Sequence, residues 1–173
     1  GDTKYDSLAK AVTAARDGDT VTLLASCNNS VSIEVQTNII IDLNGKTVTN
    51  SADKMFTTRG EVTIRNGEIK GAVASSIVNA YNKLTLTNVT ITGATGSDGK
   101  TLVNVCSGAE VTIDKNTVLT ATGGEGVAVF VGQNGAGAGT KFTLNIYGKV
   151  TQNAKSFAIA GNGSYTGYTC INI

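Results

Sequence analysis

Apolar and polar residues alternate in short runs along this chain, and the runs recur. The clearest copy is KLTLTNVTITG at 83–93, in which Leu84 and Leu86 flank Thr85, Thr87-Asn88 makes a polar corner, and Val89-Thr90-Ile91 begins a second run. The same phrase returns as EVTIRNGEIKG at 61–71, AEVTIDKNTVLTA at 109–121 and KFTLNIYGKVTQ at 141–152, and more loosely as NIIIDLNGKTVTN at 38–50. Its opening residues, Ile39, Val62, Leu84, Val111 and Phe142, lie 23, 22, 27 and 31 residues apart. Period-2 runs predict strands with one face buried, and a repeat of this length predicts coils stacked on one another.

A third run follows each pair: MFTT at 55–58, IVNAY at 77–81, LVNVC at 102–106, VAVFV at 127–131 and FAIAG at 157–161. Three short strands per coil, with insertions at the corners, describe a parallel β-helix of about six rungs. Asn-Gly pairs at 44–45, 66–67, 134–135 and 162–163 supply the positive φ that sharp corners need. Before the first full coil, VTLLAS (21–26) and VSIEV (31–35) read as strands joined by the turn CNNS. Leu8, Ala11, Val12 and Ala15 share one face of a helix over 5–17, with Asp6 or Ser7 as N-cap and Asp17-Gly18-Asp19 as its stop. A stack exposes its terminal rung, so this helix is expected to cap it. The whole chain is expected to be one domain, with coils over 20–173. Its ends, Gly1 without Met and the strand-like TCINI, are expected to be cuts from a larger protein.

Superposing the first strands predicts an interior file of Val62, Leu84, Val111 and Phe142, with Ile64, Leu86, Ile113 and Leu144 beside it. Three outer columns follow. One is Glu61, Lys83, Glu110 and Lys141, alternating in sign; the next is Thr63, Thr85, Thr112 and Thr143; the last is Asp42, Arg65, Thr87, Asp114 and Asn145. Opposite charges on neighbouring rungs help to pin register. Asn79 and Asn104 occupy matching places in the third strands and are candidates for an amide ladder. The direction in which those strands face is not decided by their pattern.

Composition changes this picture little. Lys plus Arg number 14 against 13 for Asp plus Glu, so no net field favours nucleic acid or an anionic membrane. No apolar run reaches membrane-spanning length, so membrane insertion is not expected. Cys27, Cys106 and Cys170 lack metal-ligand spacing and read as buried, unpaired thiols, with a disulfide between some two of them as the alternative.

The phrase pattern, together with SLAKAVTAARDGDTVTLLAS and NIIIDLNGKTVTN, resembles the pectate-lyase-like right-handed β-helices that occur as modules in large bacterial surface proteins. The resemblance covers nearly the whole chain and implies an all-β, right-handed, single-stranded parallel β-helix. That scaffold hosts lyases, hydrolases, adhesins and phage proteins, so fold alone does not give activity. Lyases of this kind, as the resemblance implies, hold calcium on clustered Asp and use Arg or Lys as base. Asp42, Arg65 and Asp114, with Glu61 and Glu110 beside them, are the nearest approach here, and a structural charge ladder accounts for them equally. Hydrolases of this fold rely on a His beside paired Asp, and the chain has no His. No acidic pair stands apart from the ladder as glycosidase chemistry would need.

Three further motifs have plain readings. ATGSDGKT at 94–101 fits a relaxed phosphate-loop pattern but runs into the strand-like LVNVC instead of a helix. Two Thr stand abreast only at Thr47/Thr49 and Thr90/Thr92, with Glu68 and Lys70 on the rung between, so strand propensity explains them better than an ice-binding face. Tyr165 and Tyr168, in the loop GNGSYTGY, are the candidate ligand contacts, able to stack on a sugar ring, with a loop clamp packing back on the helix as the equal alternative. The expected function is a non-catalytic module of a secreted or cell-surface bacterial protein, without cofactor. It would serve as a stalk or adhesive surface for host or cell-wall polysaccharide or a surface protein. The alternatives are a calcium-dependent polysaccharide lyase and a trimeric phage decoration or tail-spike component.

Overall fold

The computed structural model describes residues 3–72, 76–94, 100–133, 140–153, 156–161 and 168–172. Each turn of the chain contributes strands to three faces. The first turn holds β1 (Thr20–Thr22), β2 (Cys27–Asn29) and β3 (Ile33–Val35), and the second holds β4 (Ile39–Asp42), β5 (Thr47–Asn50) and β6 (Lys54–Thr58). In the next two turns the first corner is crossed without a break in strand hydrogen bonding. β7 (Val62–Ala72) and β9 (Lys83–Ala94) therefore each serve two faces, followed by β8 (Ser76–Ala80) and β10 (Thr101–Cys106). Then come β11 (Glu110–Ile113), β12 (Val118–Thr122) and β13 (Val127–Gln133), and after them β14 (Lys141–Ile146), β15 (Lys149–Gln152) and β16 (Ile159–Gly161). β17 (Tyr168–Asn172) adds to the first face.

Every strand pairing is parallel, giving an 11-stranded sheet over the first and second faces and a six-stranded sheet on the third. This is the expected all-β solenoid. Four turns, from β4 through β13, are paired on both sides at all three faces; the expected six include the two end turns.

The core follows from alternation. On the first face Ile39, Val62, Leu84, Val111 and Leu144 form one inward file, and Ile41, Ile64, Leu86, Ile113 and Ile146 form the next. Val48, Ile69, Ile91, Leu119 and Val150 line the second face, and Phe56, Val78, Val103 and Val129 line the third. Phe142 does not join the expected file: Glu110 faces Thr143 and Val111 faces Leu144, two residues on. Because the side-chain period is two, that shift leaves Phe142 pointing inward and buried. It lies level with Ala109.

The helix is shorter than expected. α1 (Leu8–Ala14) is capped by Ser7, whose hydroxyl accepts from the Lys10 N–H at 3.3 Å, and it buries Leu8 and Val12 against the core near β3. At 27–29 the structure replaces the expected turn by β2, paired with β5. Asn29 points inward there, and its Nδ2 donates to Asn50 Oδ1 at 3.2 Å and to the Val31 carbonyl at 2.7 Å. A buried amide whose Nδ2 is doubly bonded is tolerated in a strand position that propensity disfavours.

Candidate functional site

The corner between the first and second faces collects Asp42, Arg65 and Asp114, while Glu61 and Glu110 lie at the opposite end of the first-face strands. Asn44, Asn66 and Asn88 turn the chain there with φ of 50°, 59° and 49°, the left-handed region that Asn enters more readily than other side chains. The amides of Asn88 and Asn66 form a ladder along the axis, while that of Asn44 donates to the Leu23 carbonyl at 3.1 Å. Asn88 Nδ2 donates to Asn66 Oδ1 at 3.2 Å, and Asn66 Nδ2 lies 3.3 Å from both oxygens of Asp42. Asp42 also accepts from the Asn44 N–H at 2.9 Å and from Arg65 Nε at 2.8 Å. A shallow open groove runs beside this ladder.

Asp114 does the same work three rungs away from Asp42. Its Oδ1 accepts from the Thr117 hydroxyl at 2.7 Å, the Asn88 N–H at 3.0 Å and the Asn116 N–H at 3.2 Å, tying two rungs together. Partial burial alone would push both carboxyls up. The Asn44 N–H, Arg65 and Asn66 outweigh it at Asp42, and Thr117 with the Asn88 and Asn116 N–H groups outweighs it at Asp114, so both lie below the ordinary carboxylate range.

That direction fixes a pH dependence. A carboxyl whose folded pKa is depressed stabilises the fold above its unfolded value, near 3.8 here, and the contribution is lost as pH falls through the folded value. Melting temperature should therefore drop as pH is lowered from about 5 through the acid range, and Asp42→Asn should flatten that limb while lowering stability at neutral pH. Thermal melts at stepped pH check this; an unchanged acid limb would show that Asp42 is not held by these partners.

The remaining expected columns are reshaped. Lys83 faces Glu110 as expected, but their ends form no ion pair, and the two-residue shift moves Lys141 away from Glu110. The Thr column continues Thr63, Thr85, Thr112 and then Asn145, whose Nδ2 donates to Thr112 Oγ1 at 3.3 Å. Lys70 and Glu68 pair at 3.2 Å on the second face, between the Thr47/Thr49 and Thr90/Thr92 rungs. Lys100 and Thr101 lead directly into β10, where the buried Thr101 hydroxyl lies 2.9 Å from the Val103 carbonyl, so no helix N-terminus follows the phosphate-loop-like motif. Residues 95–99 lie outside the described residues. Cys106 is buried and free, and burial pushes its thiol up to about 11. Cys27 is also free and only half-buried. Tyr165 lies outside the described residues. Tyr168 opens β17 opposite Lys141, and its side chain lies outside them too.

The third face holds a cluster that its sequence did not announce. Its outer column runs Glu34, Thr57, Asn79, Asn104 and Phe130. Toward the start of these strands the same outer side carries Met55, Ile77 and Leu102, all fully buried, so this face is covered there. Toward their ends Asn79, Asn104 and Cys106 stay buried, and solvent is reached only at the residues flanking them. Glu34 and Arg59 are each about half exposed and approach to 3.5 Å, and the Arg59 guanidinium lies 4.5 Å from the centre of the Tyr81 ring. Tyr81 and Phe130 are partly exposed. Between them Asn104 Nδ2 donates to Asn79 Oδ1 at 2.7 Å, the expected amide ladder, while buried Asn104 Oδ1 has no partner. Arg59 and Tyr81 stand two residues beyond Thr57 and Asn79, a spacing visible once the third strands are aligned in register.

Among the described residues no three acidic, Cys or His groups converge to hold a metal ion, and no helix is long and apolar enough to cross a membrane. No protein-family model, curated protein or solved structure matches this chain.

Proposed function

We propose that this chain is a non-catalytic solenoid module of a secreted or cell-surface bacterial protein, of the pectate-lyase-like kind, that presents a rigid polar wall to polysaccharide or to a surface protein. One observation carries the reading: the two aspartates at the corner both accept several hydrogen bonds that hold the fold, Asp42 on both oxygens and Asp114 on Oδ1. Asp42 binds Arg65, Asn66 and the Asn44 N–H, and Asp114 closes its own corner. A carboxylate engaged in this way fixes register between rungs, and freeing it for calcium or for proton transfer would unmake a corner. Stacked rungs also make a stiff rod with flat sides, which suits display at a distance.

Incubation with polyuronates and calcium, followed by absorbance of the unsaturated product, tests the enzymatic alternative; no rise is expected. A rise that disappears in Asp114→Asn would overturn the proposal. A glycan array and a panel of extracellular proteins test the adhesive role, and at least one reproducible hit is expected.

A further inference from the structure

We infer that the outer side of the first face is a docking surface for a second copy of this chain, the two solenoids lying antiparallel and face to face. This goes beyond the function proposed above and does not rest on it. Glu61, Lys83 and Glu110 are exposed, stand on successive rungs with alternating sign, and form no ion pair among the described residues. Beside them Thr63, Thr85, Thr112 and Asn145 make a half-buried column of short side chains, against which another sheet face can lie. Tyr147 follows the last residue of β14, level with Asp114; it points outward by alternation and is 64% exposed, a large ring left on a polar wall.

The charges choose the arrangement. A two-fold axis parallel to the strands, midway between β9 and β11, sets each rung of one copy against the rung equally far beyond the axis in the other, and keeps position along the strand. Lys83 of each copy then meets Glu110 of the other, and Thr85 meets Thr112. One rung further out, Arg65 meets the exposed ring of Tyr147. Asp42 holds only the Arg65 Nε, so the rest of the guanidinium is left to lie over that ring as a cation on an aromatic face. No like charges fall opposite one another between β7 and β14. Moving the axis to the gap between β7 and β9 would set Asp42 against Asp114, and turning it along the solenoid would set Glu110 against Asp114, like charges in both cases. The contact spans about 15–20 Å each way, well under the roughly 800 Å² per partner of a standard interface, so the pairing is reversible and sensitive to salt.

Sedimentation equilibrium of the full chain, from micromolar to millimolar concentration and at low and high salt, tests this. A monomer–dimer equilibrium is expected at low salt, weakened about tenfold or more by high salt, by Lys83→Glu and by Tyr147→Ala, and unchanged by Thr49→Ala on the second face. Lys83→Glu combined with Glu110→Lys should restore the dimer, because reversing both charges rebuilds both pairs across the two-fold axis. All four side chains are exposed, so the variants keep their fold, which circular dichroism checks. A chain that stays monomeric up to millimolar concentration at low salt, a dimer indifferent to Lys83→Glu and Tyr147→Ala, a double variant no better than Lys83→Glu alone, or an assembly of three copies overturns the assignment.

Discussion

Leu86→Asp should leave no cooperatively folded protein. Leu86 is fully buried, with Ile64 on one side and Ile113 on the other in the inward file of the first face. Removing the side chain alone forfeits about 2–5 kcal/mol in a site that cannot collapse between two fixed rungs. The carboxylate that replaces it has no donor within the file, and an unpaired buried charge adds several kcal/mol more or forces protonation. Together these reach the roughly 5–15 kcal/mol that holds an ordinary domain together. The residue beside it gives the contrast. Thr85 points outward and is half exposed, so Thr85→Ala should cost within about 0.5 kcal/mol. Circular dichroism melts of the two variants check the pair: a broad, low-amplitude or absent transition is expected for Leu86→Asp and a near-parental one for Thr85→Ala. Similar melting of both would contradict the assignment of inside and outside.

That assignment was legible because the first two faces alternate cleanly, with one side buried and one wet. Period two then names the inward residue in every copy, from Ile39 to Leu144, and the repeat length names the stacking. Register at the last step was not legible. Phe142 and Leu144 both point inward, so alternation is equally satisfied by either opposite Val111, and period two cannot choose between the two registers. The third face hid its parity for a related reason. Met55, Ile77 and Leu102 on its outer side are as buried as Phe56, Val78 and Val103 on its inner side, so the runs are apolar throughout and carry no alternation. The cluster of Glu34, Arg59 and Tyr81 depends on that parity and on cross-rung register.

Corners tell the same story at smaller scale. The Asn-Gly pairs at 44–45 and 66–67 mark real bends, yet at the second of these it is Asn66 that takes positive φ, and Asn88 bends the next rung with Val89 after it. The repeated signal is the Asn, because it tolerates the left-handed region and, at Asn66 and Asn88, its amide joins the ladder that ends on Asp42. Asn28 and Asn29 sit in a strand despite poor propensity because the rung above supplies Asn50 as partner. A stacked coil lets a neighbour some twenty residues away decide local structure.

Gly71 shows that dependence on the neighbouring rung sharply, and Gly71→Ala should be strongly damaging. Gly71 lies opposite Asn50 in the parallel pairing of β7 with β5, at φ +146°. A Cβ there would sit 2.0 Å from the Asn50 carbonyl oxygen and 3.0 Å from its carbon, inside any real contact distance. Asn50 cannot retreat, because its side chain accepts from Asn29 and from the Ala52 N–H while its Nδ2 donates to the Ala52 carbonyl. The backbone conformation itself costs a non-glycine residue about 1–3 kcal/mol, and parting the rungs to relieve the clash breaks ladder hydrogen bonds on both sides. A loss of about 3–5 kcal/mol is expected, as a fall in denaturation midpoint. Gly45→Ala separates the two causes. Gly45 also has positive φ, at +71°, but nothing lies within 4 Å of its added Cβ, so only the conformational cost of about 1 kcal/mol applies. Equal losses at the two positions would mean that backbone strain alone is at work and that the rungs at Asn50 and Gly71 are not in close contact.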